Sequence, residues 1–294
     1  MTKFNPKTLN GVYSALFTPY DKQGRVNVDM IEQLVEFHLK SGLAGFYVTG
    51  STGEGFLLTE NERKLVIESV IKFNRGRGKV IAHVGHTSTD IAVQLARFAE
   101  SKGADLISSV GPVYYAQTFE GAKRHYKAIA ESTSLPFLIY AIGTEIVPKR
   151  DIAFFDLKNI VGIKYTGANF FSVQQMAGMM KKPIAILSGF DEESVAALSF
   201  GFNGSIGTSQ NFAPKHFARI YRLYNEGRIH EAAKLQKEIN KVIALMVSFE
   251  NRSYQKAIMR YIGYDCGYFR KPYAPLSETE YKKFARELDK LDIL

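Results

Sequence analysis

The chain has little of what would carry it out of the cell or onto a nucleic acid. It has one cysteine, Cys266, so no disulfide can form within it, which fits a reducing compartment. The plainest role for that thiol is a small buried side chain. No apolar run is long enough to cross a bilayer. Residues 1–7 carry no apolar core of the signal-peptide kind. These absences lead to the expectation of a cytoplasmic protein with no membrane partner. The formal charge is +9, yet the basic residues do not gather. The densest stretch, residues 72–79, contains Arg75-Gly76-Arg77-Gly78-Lys79 and reads as a solvated turn between a helix and a strand. No nucleic-acid motif accompanies it. The charge is therefore read as solubility and attraction for anionic metabolites, with no nucleic-acid partner.

What is present is a regular alternation of strand-like and helix-like segments. Strands are expected at 12–17, 45–49, 80–84, 106–110, 137–141, 161–165, 185–188 and 204–207, with helical patterns between them such as 61–73, 89–101, 120–131 and 192–200. Eight strand–helix units are the number that closes an α/β (β/α)₈ TIM barrel, and 294 residues is an ordinary length for one. An open doubly wound sheet is the competing arrangement. Glycines near residues 42, 103 and 201 recur where a helix would end and a strand begin, a weak internal repeat. Helical spacing then continues over 214–225, 229–249, 253–261 and 278–291. The expected organisation is a barrel over 1–226 and a C-terminal three-helix appendage over 227–294. No Pro/Ser-rich linker separates them, so the appendage should pack on the barrel.

Barrel chemistry collects at the C-terminal ends of the strands, and the polar residues there are the candidates. Lys164 stands in the β-branched run Ile160-Val161-Gly162-Ile163-Lys164. A buried ammonium is costly, so it tends to lose its proton or find a partner, and a neutral amine attacks carbonyls. The bland alternative is a strand lysine that snorkels to water. Thr49-Gly50-Ser51-Thr52-Gly53-Glu54-Gly55 follows the second strand. Its glycines and hydroxyls suit a carboxylate or phosphate, though it is not a P-loop and could be a tight turn only. Tyr140 ends the fifth strand, one strand–helix unit before Lys164. It could relay protons there or be a half-buried strand aromatic. Asp191 and Glu192 follow the seventh strand, where they could accept hydrogen bonds from a polyol or simply complement a helix dipole. His83 and His86 suggest a metal, but residues three apart on a strand face opposite sides and no third histidine matches. No metal is expected.

Gly50-Ser51-Thr52-Gly53-Glu54, Tyr140, Lys164 and the barrel-plus-helices layout together resemble the N-acetylneuraminate lyase and dihydrodipicolinate synthase family of class I, pyruvate-dependent barrel aldolases. The likeness runs from about Leu9 to the C-terminus. It implies that Lys164 forms an imine with pyruvate, that Ser51 and Thr52 hold the pyruvate carboxylate, and that Tyr140 relays protons. It implies no cofactor beyond the covalent lysine–pyruvate imine. Val113-Tyr114-Tyr115 resembles the segment that sends a tyrosine, here Tyr114, into the adjacent subunit's site, which implies a homotetramer. Within the family the chain is most similar to the sialic acid lyases. Leu187-Ser188-Gly189-Phe190-Asp191-Glu192 resembles the element that grips the sugar's hydroxyl tail, and Thr166 and Thr208 fall at further hydroxyl contacts. The synthases carry an arginine after the tyrosine. Here that stretch is Ala141-Ile142-Gly143-Thr144-Glu145, and Glu145 would repel a second carboxylate. The chain departs from the lyases over 143–147 and at Gly207-Thr208-Ser209-Gln210-Asn211, where they usually read Gly-Ser-Thr-Tyr-Asn. The resemblance implies cleavage of a small-molecule sialic acid. Another pyruvate-imine aldolase or dehydratase acting on a different sugar acid is an alternative. A non-catalytic barrel that binds an acidic metabolite is a second.

Overall fold

The computed structural model describes residues 4–115, 117–157 and 159–294. Residues 1–3, part of the segment read above for a signal core, lie outside the described residues. The strands are β1 Gly11–Ala15, β2 Gly45–Val48, β3 Lys79–His83, β4 Leu106–Val110, β5 Phe137–Ile142, β6 Ile160–Thr166, β7 Ala185–Ser188 and β8 Gly204–Gly207. All pair in parallel and in chain order, and β1 also pairs with β8. That last pairing closes the barrel and excludes the open sheet.

The intervening helices are α1 Val28–Lys40, α2 Glu60–Asn74, α3 Thr89–Lys102, α4 Phe119–Glu131, α5 Pro148–Asp151, α6 Phe170–Gly178, α7 Ser194–Ser199 and α8 Pro214–Asn225. Then come α9 Ile229–Val247, α10 Ser253–Tyr261 and α11 Glu278–Leu291. Local signals explain the boundaries. Thr59 opens α2 with a capping box to Glu62. Gly42, Gly103 and Gly201 have φ of 88°, 88° and 84°, the left-handed conformation that ends a helix where the repeat was expected. The helix expected from residue 192 starts at Ser194, because Asp191 and Glu192 occupy the turn before it. The basic stretch forms a turn after α2, with Arg77 paired to Glu36.

Apolar side chains form two layers. Tyr13, Tyr47, Ile81, Leu138, Leu187 and Ile206 fill the barrel axis, while Val48, Ala82, Ile107, Ile139 and Ile163 pack outward under the helices. One irregularity matters for the site. Phe137 pairs with Ile160 but Leu138 pairs with Gly162, so β6 carries an extra residue at Val161. The bulge lets Val161 join the axial layer while Lys164, three residues on, still faces inward over Tyr47 and Tyr140. Cys266 is buried, and burial pushes its thiol up to about 12, so it stays protonated. Among the described residues no helix is long and apolar enough to cross a membrane.

Candidate active site

Strand parity brings Lys164 and Tyr140 together at the C-terminal end of the barrel. They are direct partners across β5 and β6. Lys164 is 4% exposed, and its Nζ lies 3.9 Å from the Tyr140 ring centroid and 4.4 Å from that of Tyr47. The nitrogen therefore sits between two aromatic rings. Sequence reading did not single out Tyr47. Its signal was weak, an aromatic at an inward position three residues before Gly50.

The two tyrosines are set apart electrostatically. Burial pushes the Tyr47 phenol well above its ordinary range, Tyr140 adds to this, and its hydroxyl donates to Ser108 Oγ at 3.0 Å. Burial alone would raise Tyr140 too. There the Lys164 ammonium is the largest opposing influence, and the phenol ends below its ordinary 10.0. Of two phenols touching one amine, Tyr140 is the one tuned to exchange a proton.

The loop after β2 wraps tightly. Glu54 N–H donates to Ser51 O at 3.2 Å and Gly55 N–H to Gly50 O at 3.0 Å. Glycine is required at 55, where a Cβ would stand 1.9 Å from Thr49 O. Ser51 is half-buried and Thr52 buried. Thr52 Oγ1 and Thr208 Oγ1 share a hydrogen bond of 2.7 Å, which joins this loop to the end of β8.

On the other side, Gly189 makes room for Thr166, since a Cβ there would lie 1.8 Å from Thr166 Oγ1 and 3.4 Å from Lys164 Cε. The two acids after β7 part company. Glu192 is exposed, whereas Asp191 is buried with Oδ2 accepting from Ser209 N–H at 2.6 Å. Burial raises the Asp191 carboxyl to about 6, against the pull of the Ser209 N–H hydrogen bond. Helix α9 holds this turn from outside: Gln236 Nε2 donates to Asp191 O at 3.1 Å and Asn240 Nδ2 to Glu192 O at 3.0 Å.

Other candidates stay apart. Tyr114 is 90% exposed with φ of 77°, so within one protomer it reaches no part of the site. His83 Nδ1–H donates to Thr49 O at 3.1 Å and its Nε2 accepts from Val110 N–H at 3.4 Å. Both ring nitrogens are thus engaged. A cavity of about 350 Å³ opens beside Tyr140, lined among others by Gly111, Tyr126, Ile142, Thr144 and Arg150. It lies on the β4–β5 side and meets the lysine site only at Tyr140. Arg150 there is paired to Asp151 at 2.7 Å.

Residues 8–291 match the model of the dihydrodipicolinate synthetase family. Among solved structures, the chain is 30% identical to N-acetylneuraminate lyase from Fusobacterium nucleatum, covering 96% of this chain and 98% of that one at a TM-score of 0.89. It is 27% identical to a catalytic lysine mutant of the sialic acid aldolase of Ruminococcus gnavus, over 98% of both chains at a TM-score of 0.91. It is also 30% identical to the 4-hydroxy-tetrahydrodipicolinate synthase of Methylacidiphilum fumariolicum, covering 96% and 95% at a TM-score of 0.88.

Proposed function

The chain belongs to the dihydrodipicolinate synthetase family of class I aldolases, and on that premise we propose that it cleaves N-acetylneuraminate to N-acetylmannosamine and pyruvate. The observation that carries this reading is the buried Lys164 amine against the face of a phenol tuned downward.

In this reading neutral Lys164 attacks the C2 ketone of the open-chain sugar acid, and loss of water leaves a protonated imine. Ser51 and Thr52 hold the carboxylate. The iminium draws in the C3–C4 bonding pair as Tyr140 takes the C4 hydroxyl proton. N-acetylmannosamine departs, the enamine is protonated at C3, and water releases pyruvate from Lys164. The protonated imine formed on Lys164 is the electron sink, so the scheme requires no cofactor. Thr166, Gly189, Thr208, Asp191 and Glu192 surround the sugar's hydroxyl tail, with the exposed Glu192 carboxylate as the direct acceptor. Tyr114, turned outward in its own protomer, assists Ser51 and Tyr140 in a neighbouring subunit of a homotetramer. The barrel over 1–226 carries the chemistry, and the segment over 227–294 braces it.

A different sugar acid is the second reading. It is favoured by Gln210, fully buried beside Asp191 where a lyase usually has tyrosine. Pyruvate release measured over sialic acids and 2-keto-3-deoxy sugar acids decides between the two. Pyruvate with borohydride should add one reduced pyruvate to Lys164, and Lys164→Arg should be inactive because a guanidinium cannot be this nucleophile. An adduct on another lysine would end the imine reading. Tight ligand binding without turnover would leave a metabolite-binding barrel.

A further inference from the structure

Lys256 lies on α10, in the C-terminal helices, yet its ammonium is spent on the barrel mouth. The side chain is fully buried. Nζ donates to Glu54 Oε1 at 2.8 Å, to Thr18 O at 2.7 Å and to Tyr268 O at 3.2 Å, which uses all three of its protons. Burial lowers its pKa while Glu54 pulls the other way. The second oxygen of Glu54 accepts from Arg270 N–H at 2.7 Å. Glu54 itself sits at φ 57°, a left-handed conformation that a non-glycine residue keeps only when its surroundings hold it. Thr18, whose carbonyl Lys256 binds, donates its hydroxyl to Gly53 O at 2.7 Å. Arg252, one turn before Lys256, reaches Ser51 O at 3.5 Å.

We propose that Lys256 is a positioning residue for the keto-acid carboxylate: through Glu54 and Thr18 it sets the backbone of the loop that presents Ser51 and Thr52. The inference deepens the imine reading above and rests on it. Stability is a poor reason for such a pair, since buried ion pairs are commonly no better than apolar residues of similar volume. What an ammonium with three acceptors supplies is a fixed point where the loops after β1 and β2 meet the C-terminal helices.

The test is trapping by pyruvate and borohydride across pyruvate concentrations, in the full-length wild type and in Lys256→Met. The half-saturating pyruvate concentration should rise ten-fold or more in the variant. The limiting trapping rate should change less than three-fold, because Lys164 and Tyr140 are not contacted by Lys256. A purely structural role would lower melting temperature and leave half-saturation unchanged, and that result in folded Lys256→Met overturns the proposal. Equal losses in half-saturation and limiting rate overturn it as well. If Lys256→Met does not fold, the double variant Glu54→Gln/Lys256→Met removes both charges together and carries the same measurement. A wild-type enzyme that pyruvate does not trap on Lys164 overturns the imine reading itself, and this inference with it.

Discussion

The two halves of the barrel mouth are built differently. On the side of β2, β5 and β6, the polar groups have close partners: Lys164 between two phenol rings, Tyr47 on Ser108, Glu54 on Lys256 and Arg270. On the side of β7 and β8, Asp191 Oδ1, Ser209 Oγ, Gln210 Oε1 and, at the end of β6, Thr166 Oγ1 are buried with no hydrogen-bond partner among the described residues. A buried polar atom left unpaired costs about 1–3 kcal/mol. The first half is organised before any ligand arrives. The second holds polar capacity that the described protein groups do not use, and in the proposed function it is the part that would meet the hydroxyls of the substrate.

Removing the tuned phenol should break the first half. Tyr140→Phe should lower carbon–carbon cleavage by about 10²–10⁴-fold, the usual worth of a positioned acid–base group. Because Tyr140 must be deprotonated to take the C4 proton, wild-type cleavage should rise with pH on a limb displaced below the phenol's ordinary 10.0, and that limb should disappear in the variant. Tyr114→Phe should weaken the same step less. Sedimentation alongside the assay checks its origin in a neighbouring subunit, since a fully active monomer would remove Tyr114 from the mechanism.

The second half should respond to substrate length. Glu192→Gln keeps the shape but weakens the acceptor. With a charged hydrogen bond worth about 1.5–3 kcal/mol, cleavage of the full sugar acid should fall roughly ten-fold or more. Pyruvate trapping at Lys164 should be unchanged. Equal losses on a keto acid without the glycerol tail would remove Glu192 from tail recognition.

The smallest effect belongs to Asp191, and it sharpens the contrast because it is read in stability. Its folded pKa of about 6 lies above the ordinary 3.8. A carboxyl raised on folding favours the folded state at low pH and loses that contribution as pH rises through the folded value. At pH 7.5 the buried charge is therefore a penalty. Asp191→Asn keeps an acceptor for Ser209 N–H and adds a donor toward Gln210. It should stabilise the protein at pH 7.5 by on the order of 2 kcal/mol, and the gain should shrink as pH falls below 6. Melting curves at several pH values check this. A gain that does not vary with pH would show that the Asp191 charge is not what costs stability.

Much of the fold was legible because its determinants are local. β-branched runs, helical spacing and glycines at helix ends each need only a few neighbouring residues to be read. The candidate site was legible where a residue type is unusual for its place, as with an amine in the buried run around Lys164. Asp191 and Glu192 show the limit. Side by side in sequence they look equivalent, and only packing turns one inward to Ser209 and leaves the other in solvent. Tyr47 resembled any core aromatic until the β6 bulge brought Lys164 over its face.

The sequence by itself determined the alternating barrel and the family, and it named the candidate lysine, phenol and loop, because strand period, turn chemistry and motif spacing are short-range properties. Tertiary structure alone decided which phenol is tuned, which acid is buried and that Lys256 meets Glu54 across 202 residues of chain. Burial, dielectric and pairing are properties of neighbours in space, and the chain acquires those neighbours only when β8 closes on β1 and the last helices seat against the loops.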